Sequence, residues 1–226
     1  MIDHPFSIFD DFADELSIGL FTKQDNIQND GELRGKLRAS RSASLEQTHG
    51  NTAIIAREAI ARSEKGDGLM TDMPDLILSV RTADCQQFVV FDPKKHAFGV
   101  IHAGWKGLVR GIIPAFFEKF FEEWNSDARN LIVGAGPSLC KNCAEFTDPK
   151  QELIGIDKKF FDGRHADLRA IADDQLLSMG ISFAHMERSP DCTKCNPDVY
   201  WTYRGGDKDA VNKRSVNYLA CVMRSE

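Results

Sequence analysis

At 226 residues the chain can bury a sizeable core, within the range of one large domain or two small ones. Its 42% hydrophobic and 27% charged residues exclude a disordered chain. A net charge of −6 gives no general electrostatic reason to bind nucleic acid or an anionic membrane, although a local basic pocket for an anionic substrate is compatible with it.

Acidic residues interrupt every apolar run near the N-terminus, and no basic segment precedes one, so no signal-peptide pattern is read there. No run approaches the roughly eighteen apolar residues of a membrane span. The expected location is the cytoplasm, where the six cysteines, spread from position 85 to 221, read as thiols rather than disulfide staples.

In chain order, residues 17–22 predict a strand, the polar run 29–31 a turn, and the basic cluster 34–41 a solvated loop. Short runs rich in Val, Ile or Phe predict strands at 52–56, 76–81, 87–91, 97–102 and 130–133. Between the last two, apolar residues from Trp105 to Trp124 recur at 3, 4 and 7, which predicts a helix with an aromatic stripe facing the core. Pro114 lies inside that stretch and should kink the helix or break its first turns. A second helix is predicted over 166–179, closed by Gly180. Further strands are expected at 181–187, 199–203 and 215–222. Strands outnumber helices and several are consecutive, so the expected fold is α/β with mixed sheets. No repeat or linker divides the chain, and a single catalytic domain over 1–226 is expected.

Three segments place rare residue types at strand ends: Gln47-Thr48-His49-Gly50, Thr82-Ala83-Asp84-Cys85 and His102-Ala103-Gly104-Trp105-Lys106-Gly107. Two imidazoles and a thiolate are the mixed donor set that zinc takes, and three ligands leave a fourth position open. Separations of 36 and 17 residues make this no local metal motif, and two structural histidines with a buried cysteine are the plainer alternative. Gly104 and Gly107 allow close backbone approach, a helix N-terminus presents free N–H groups, and Lys106 adds charge, all of which would suit phosphate. A rival metal reading rests on Cys140-x-x-Cys143 and Cys192-x-x-Cys195, the pattern of a four-cysteine structural site, although their separation exceeds that of a zinc ribbon.

Together, QTHG, GDGLMTD (66–72), TADC, HAGWKG, GAGPSLC (134–140), CTKC (192–195) and YWTYR (200–204) resemble the YfiH-like family, the laccase-domain proteins once labelled multicopper polyphenol oxidases. The resemblance runs from about residue 17 to the end. It implies a layered α/β sandwich like the catalytic domain of a cytotoxic necrotising factor, with His49, Cys85 and His102 as zinc ligands. It also implies phosphorolysis of adenosine, inosine, guanosine and methylthioadenosine, deamination of adenosine, and, for some members, hydrolysis of a wrongly attached amino acid in a peptidoglycan precursor. The chain departs from the family where Gln86-Gln87 follows TADC, where Lys106 replaces the usual arginine, and where Asn212-Lys213-Arg214 stands for Thr-Gly-Arg.

The expected function is thus a zinc-dependent purine nucleoside phosphorylase with adenosine deaminase activity. Nucleoside and phosphate are its small-molecule partners. Cys85, His49 and His102 are the catalytic centre, with Asp84 as a proton-transfer partner. Gln47, Gly104, Lys106 and Arg204 are the candidate substrate contacts. One alternative is a cysteine or zinc hydrolase of an amide or amino-acyl substrate, with Cys85 as nucleophile. Another is polyphenol oxidase chemistry with copper bound in vitro at the same trio. A conventional laccase needs many more imidazoles than the six available. A non-enzymatic interaction domain built on the four-cysteine site is the remaining class.

Overall fold

The computed structural model describes residues 1–224. The chain opens with β1 (Ile2–Asp3), β2 (Leu16–Phe21) and helix α1 (Asp30–Leu37). It continues through β3 (Arg41–Glu46), β4 (Ala53–Ile55), β5 (Ile60–Lys65), β6 (Gly68–Thr71), β7 (Leu76–Thr82), β8 (Gln86–Asp92) and β9 (Ala97–Ala103). Helices α2 (Trp105–Val109) and α3 (Ile112–Trp124) lead to β10 (Ile132–Ala135) and the short α4 (Pro149–Glu152). After the β11 (Phe161–Asp162) and β12 (His165–Ala166) hairpin come α5 (Leu168–Ser178), β13 (Met186–Arg188), α6 (Lys208–Asn212) and β14 (Asn217–Met223).

Two six-stranded sheets result, ordered β1-β2-β14-β7-β3-β5 and β13-β10-β8-β9-β6-β4. Both are mixed. β3 runs parallel to β5 and β7, β4 to β6, and β10 to β13, while the other pairs are antiparallel.

The two-residue period of the strands decides the layers. Leu76, Leu78 and Val80 of β7 meet Val89, Phe91, Phe98 and Val100 of β8 and β9 between the sheets. Ile77 faces the other way, into a smaller core with Tyr218, Val222 and Leu33 and Leu37 of α1. On the far side, Phe88, Val90 and Ile101 pack against Phe116, Phe117 and Phe120 of α3 and Ile171 and Leu176 of α5. The arrangement is a helix–sheet–sheet–helix sandwich. The middles of β8 (residues 88–91) and β9 (residues 97–101) read as unbroken apolar runs because both of their faces are covered. No helix of the described residues is long and apolar enough to cross a membrane.

Four stretches differ from their sequence pattern. The helix expected over 105–124 is two helices, broken at Gly111, whose φ of +76° suits glycine. Pro114 then falls in the first turn of α3, where its missing N–H has no intrahelical partner to lose. The expected turn and basic loop over 29–41 are α1 and the start of β3. Asn29 caps the helix by accepting from the Glu32 N–H at 3.2 Å, and the Glu32 carboxylate accepts from the Gln28 N–H. Only Leu33 and Leu37 of α1 are buried, so its apolar face was too thin to show. Residues 199–203 are not a strand. Side chains hold that backbone instead, with the Trp201 N–H donating to Asn217 Oδ1 at 2.9 Å and the Tyr200 hydroxyl to Asp191 at 2.7 Å. Of 181–187, only the end is strand, because a single 3-10 turn (Phe183–His185) precedes β13.

Candidate functional site

β3, β5 and β7 lie parallel in the first sheet, so their C-terminal ends share one rim. After each of them the chain crosses to the second sheet, entering β4, β6 and β8. The crossings carry His49, Asp67 and Cys85. β9 ends at the same place, because Gln86 at the start of β8 pairs with Ala103 at its end. Three residues distant along the chain are thereby brought together. The ligating atoms of His49, Cys85 and His102 lie within 4.8 Å of one another, and His49 Nε2 is 3.9 Å from Cys85 Sγ. The two imidazole rings meet edge to face, centroids 4.8 Å apart.

Asp67, which the motif reading did not single out, organises this centre. Its side chain is fully buried. Oδ1 accepts from His102 Nδ1–H at 2.8 Å and from the His49 N–H at 3.0 Å. Oδ2 accepts from the Gly50 N–H at 2.7 Å and the Thr48 N–H at 3.2 Å. Burial opposes the Asp67 charge, but the bonds from His102 and the loop N–H groups outweigh it and hold the carboxyl at about 2. Using Nδ1 for Asp67 leaves His102 Nε2 facing the trio, which is how a carboxylate orients a metal-binding imidazole. The same bonds hold His49 in the left-handed region at φ +56°. Arg110 adds a bond from its guanidinium to the His49 carbonyl at 2.8 Å.

Burial by itself would raise the Cys85 thiol and lower the His102 imidazole. Their mutual attraction dominates, lowering Cys85 to about 6 and raising His102 to about 9. Thiolate is the form a metal requires of Cys85, whereas His102 must give up its Nε2 proton as an ion enters. For a tetrahedral ion bound at zinc-like N and S distances, adjacent donors sit about 3.6 Å apart, close to the separation seen. Gly104 is required here for space rather than for conformation. A Cβ on it would lie 2.7 Å from His49 Cδ2 and 2.9 Å from Cys85 Sγ.

The trio lies at the wall of a cavity of about 700 Å³, in the range of small-molecule sites. His102 is buried and Cys85 partly so, while His49 is open to solvent. Five cationic side chains line the cavity: Arg81, Lys106, Arg110, Arg204 and Arg214. An acidic protein thus carries a basic pocket. α2 is only five residues long, so its N-terminus contributes little field, and the expected anion site rests on these side chains instead.

Of the expected substrate contacts, Lys106 and Arg204 line the cavity. Gln47 also lines it, but its amide is committed at both ends, donating to the Arg81 carbonyl at 2.8 Å and accepting from the Arg81 N–H at 2.9 Å. Asp84 is similarly engaged. One oxygen accepts from the Thr193 and Thr202 hydroxyls at 2.7 and 2.6 Å, the other from the Arg204 N–H at 2.7 Å. These bonds make it a tether between loops. Arg81 and Arg110 carried no sequence signal, because isolated arginines look like any surface cation, whereas Arg214 showed only as the arginine kept in Asn212-Lys213-Arg214.

The family model for multi-copper polyphenol oxidoreductase laccase matches residues 19–216. The chain belongs to that family. As a member of this laccase family it is similar to a purine nucleoside phosphorylase of Clostridium acetobutylicum, 27% identical over 218 residues, or 92% of this chain and 89% of the relative. A purine nucleoside phosphorylase of Rickettsia conorii is 32% identical over 122 residues, 54% of this chain and 50% of its own. An adenosine deaminase from an unknown prokaryotic organism is 28% identical over 162 residues, 67% of this chain and 62% of its own. The chain therefore spans only part of the length of these last two relatives. Its fold is that of YlmD from Geobacillus stearothermophilus, with a TM-score of 0.79 at 20% identity over 98% of this chain and 94% of that one. The family's description names several coppers. Of the six histidines, however, only His49 and His102 enter a cluster of metal-ligating side chains among the described residues.

Proposed function

We propose that this laccase-family chain is a zinc-dependent purine nucleoside phosphorylase that also deaminates adenosine, with adenosine, inosine, guanosine and methylthioadenosine as substrates. The observation that carries the reading is the convergence of His49, Cys85 and His102 on the wall of a cation-lined cavity. Relatives named for these two activities support it. Two imidazoles and a thiolate fit zinc better than the harder oxygen-seeking ions. Bound there, zinc would supply a Lewis acid with one position open to solvent or substrate.

Phosphorolysis joins a phosphate oxygen to the sugar C1′ as the C1′–N9 bond breaks, and the purine leaves with a proton. The cavity must hold a dianion beside a positive-going sugar carbon. Lys106 and Arg204 are the groups assigned to phosphate. Lys106 is exposed and stacks its ammonium over Trp105 at 5.3 Å, which keeps it at the mouth. Arg204 is fixed by its own N–H to Asp84 and by its guanidinium over Phe146 at 5.2 Å. Asp84 is thus a positioning group rather than a proton-transfer partner. Asp67 holds His102 in one tautomer, and Gly104 keeps the space between His49 and Cys85 clear.

Purified protein supplied with zinc, inosine and phosphate should release hypoxanthine and ribose 1-phosphate, and adenosine without phosphate should yield inosine and ammonia. Cys85→Ala should lower both rates at least 100-fold. Retention of full activity by that variant would remove the centre from the reaction.

The Cys85–His102 pairing supports a second reading, a thiolate hydrolase of an amide or amino-acyl bond. Stoichiometric inactivation by iodoacetamide in excess zinc, with no phosphorolysis of any nucleoside, would select it. Polyphenol oxidation by copper at the same trio is tested by metal analysis of protein from unsupplemented growth.

A further inference from the structure

A second group of metal-ligating side chains lies apart from the trio. Cys140 and Cys143 sit on the loop after β10, and Cys192 and Cys195 on the loop after β13, two adjacent parallel strands. All four sulfurs lie within 4.8 Å of one another, and Cys143 Sγ is 3.6 Å from Cys195 Sγ. A tetrahedral ion with four thiolate ligands needs neighbouring sulfurs about 3.8 Å apart, whereas a disulfide brings them to about 2.0 Å. The gap therefore matches shared coordination of one ion.

Local backbone presents these sulfurs as a pair of turns. The Cys143 N–H donates to the Cys140 carbonyl at 3.0 Å, and the Asn196 N–H to the Cys192 carbonyl at 3.0 Å. The Cys140 N–H donates to Cys192 Sγ at 3.3 Å, a bond that favours thiolate. Arg169 of α5 ties the two loops from below, donating to the carbonyls of Ser138 and Leu139 on one and of Pro190 and Asp191 on the other. Lys141 and Lys194 stand one inside each turn, and Lys141 is paired with Asp162 at 3.0 Å.

We infer that Cys140, Cys143, Cys192 and Cys195 hold a second, structural zinc ion that fixes the cavity wall. The four thiols release their protons to solvent as the ion enters, and no position remains open for substrate. Thr193, inside the second turn, donates to Asp84 at 2.7 Å, and the Leu139 N–H, just before the first, donates to the Asp84 carbonyl at 3.2 Å. Asp84 in turn precedes Cys85 and holds Arg204. The second ion thus braces the strand end that carries the first centre.

The test is metal content of the full chain purified from zinc-replete growth, measured by mass spectrometry. About two zinc equivalents per chain are expected, falling to about one in His49→Ala and to about one in Cys195→Ser, a change at the most exposed ligand. Cobalt loaded into His49→Ala should show the charge-transfer and d–d absorption of a tetrathiolate site. This readout keeps the proposal testable if the cysteine variants do not fold. One equivalent in the wild type that vanishes in His49→Ala would overturn the inference. So would iron in place of zinc, or a mass after denaturing alkylation that shows these cysteines paired as disulfides.

Discussion

Asp67 illustrates how a single carboxylate can arrange three candidate metal ligands without being one of them. It fixes the His102 tautomer and gathers the N–H groups of residues 48, 49 and 50 into one turn. Asp67→Asn should therefore weaken metal binding about 10–100-fold while leaving all three ligands in place, which competition with a chromophoric chelator measures. The same residue sets an acid limit. Its carboxyl is depressed from 3.8 to about 2, so its contribution is fully present above roughly pH 4 and is lost as pH falls through about 2. The amount is about 2 kcal/mol, and the wild-type and Asp67→Asn stability curves should converge in that window. A second residue-scale prediction concerns Gly104. Gly104→Ala should abolish metal binding at the trio with little loss of fold, read by metal content beside the circular dichroism spectrum, because the added methyl meets His49 and Cys85. Residue types told only part of this. TADC and HAGWKG were legible because cysteine and histidine at strand ends are rare. Asp67 was not, because one carboxylate among 34 acidic residues reveals itself only by what it holds.

Among the elements, the paired helices α2 and α3 show what a periodic stripe can and cannot tell. The stripe located the buried face correctly, with Phe116, Phe117 and Phe120 in the core. It could not place the break, because Gly111 and Pro114 both interrupt helices and only the backbone angle distinguishes them. Gly111→Ala forces a methyl-bearing residue to φ +76° and should cost about 1–2 kcal/mol, although no neighbour crowds it. Pro114→Ala should cost less, since its position forfeits no helical bond. Thermal midpoints of the two variants decide the order, and a larger drop for Pro114→Ala would put the break at the wrong residue. β5 and β6 were invisible for another reason. Exposed β5 is polar on its outer side, and β6 is four residues long.

The whole molecule reconciles an acidic surface with a cation-lined cavity. Five cations face one cavity of a chain whose net charge is −6. Attraction of phosphate should therefore be local and screened within about 10 Å at moderate salt. Lys106→Gln should raise KM for phosphate about 3–10-fold with little change in KM for nucleoside, and the phosphate KM of the wild type should climb with ionic strength. Equal effects on both substrates would place Lys106 elsewhere in the reaction. The sandwich itself was readable as mixed α/β, because alternation and apolar runs report which faces are covered. Which sheet each strand joins was not, since the crossings after β3, β5 and β7 look like ordinary loops.

Those three crossings at one rim have a kinetic consequence. His49, Asp67 and Cys85 come into register only once β3, β5 and β7 have paired and the second sheet has closed over the first. Ligand pairs this remote along the chain make poor early nuclei, because loop closure must precede any gain from joining them. An ion bound by this trio would therefore arrive late, as a latch on a nearly finished protein, and added metal should slow unfolding far more than it hastens refolding.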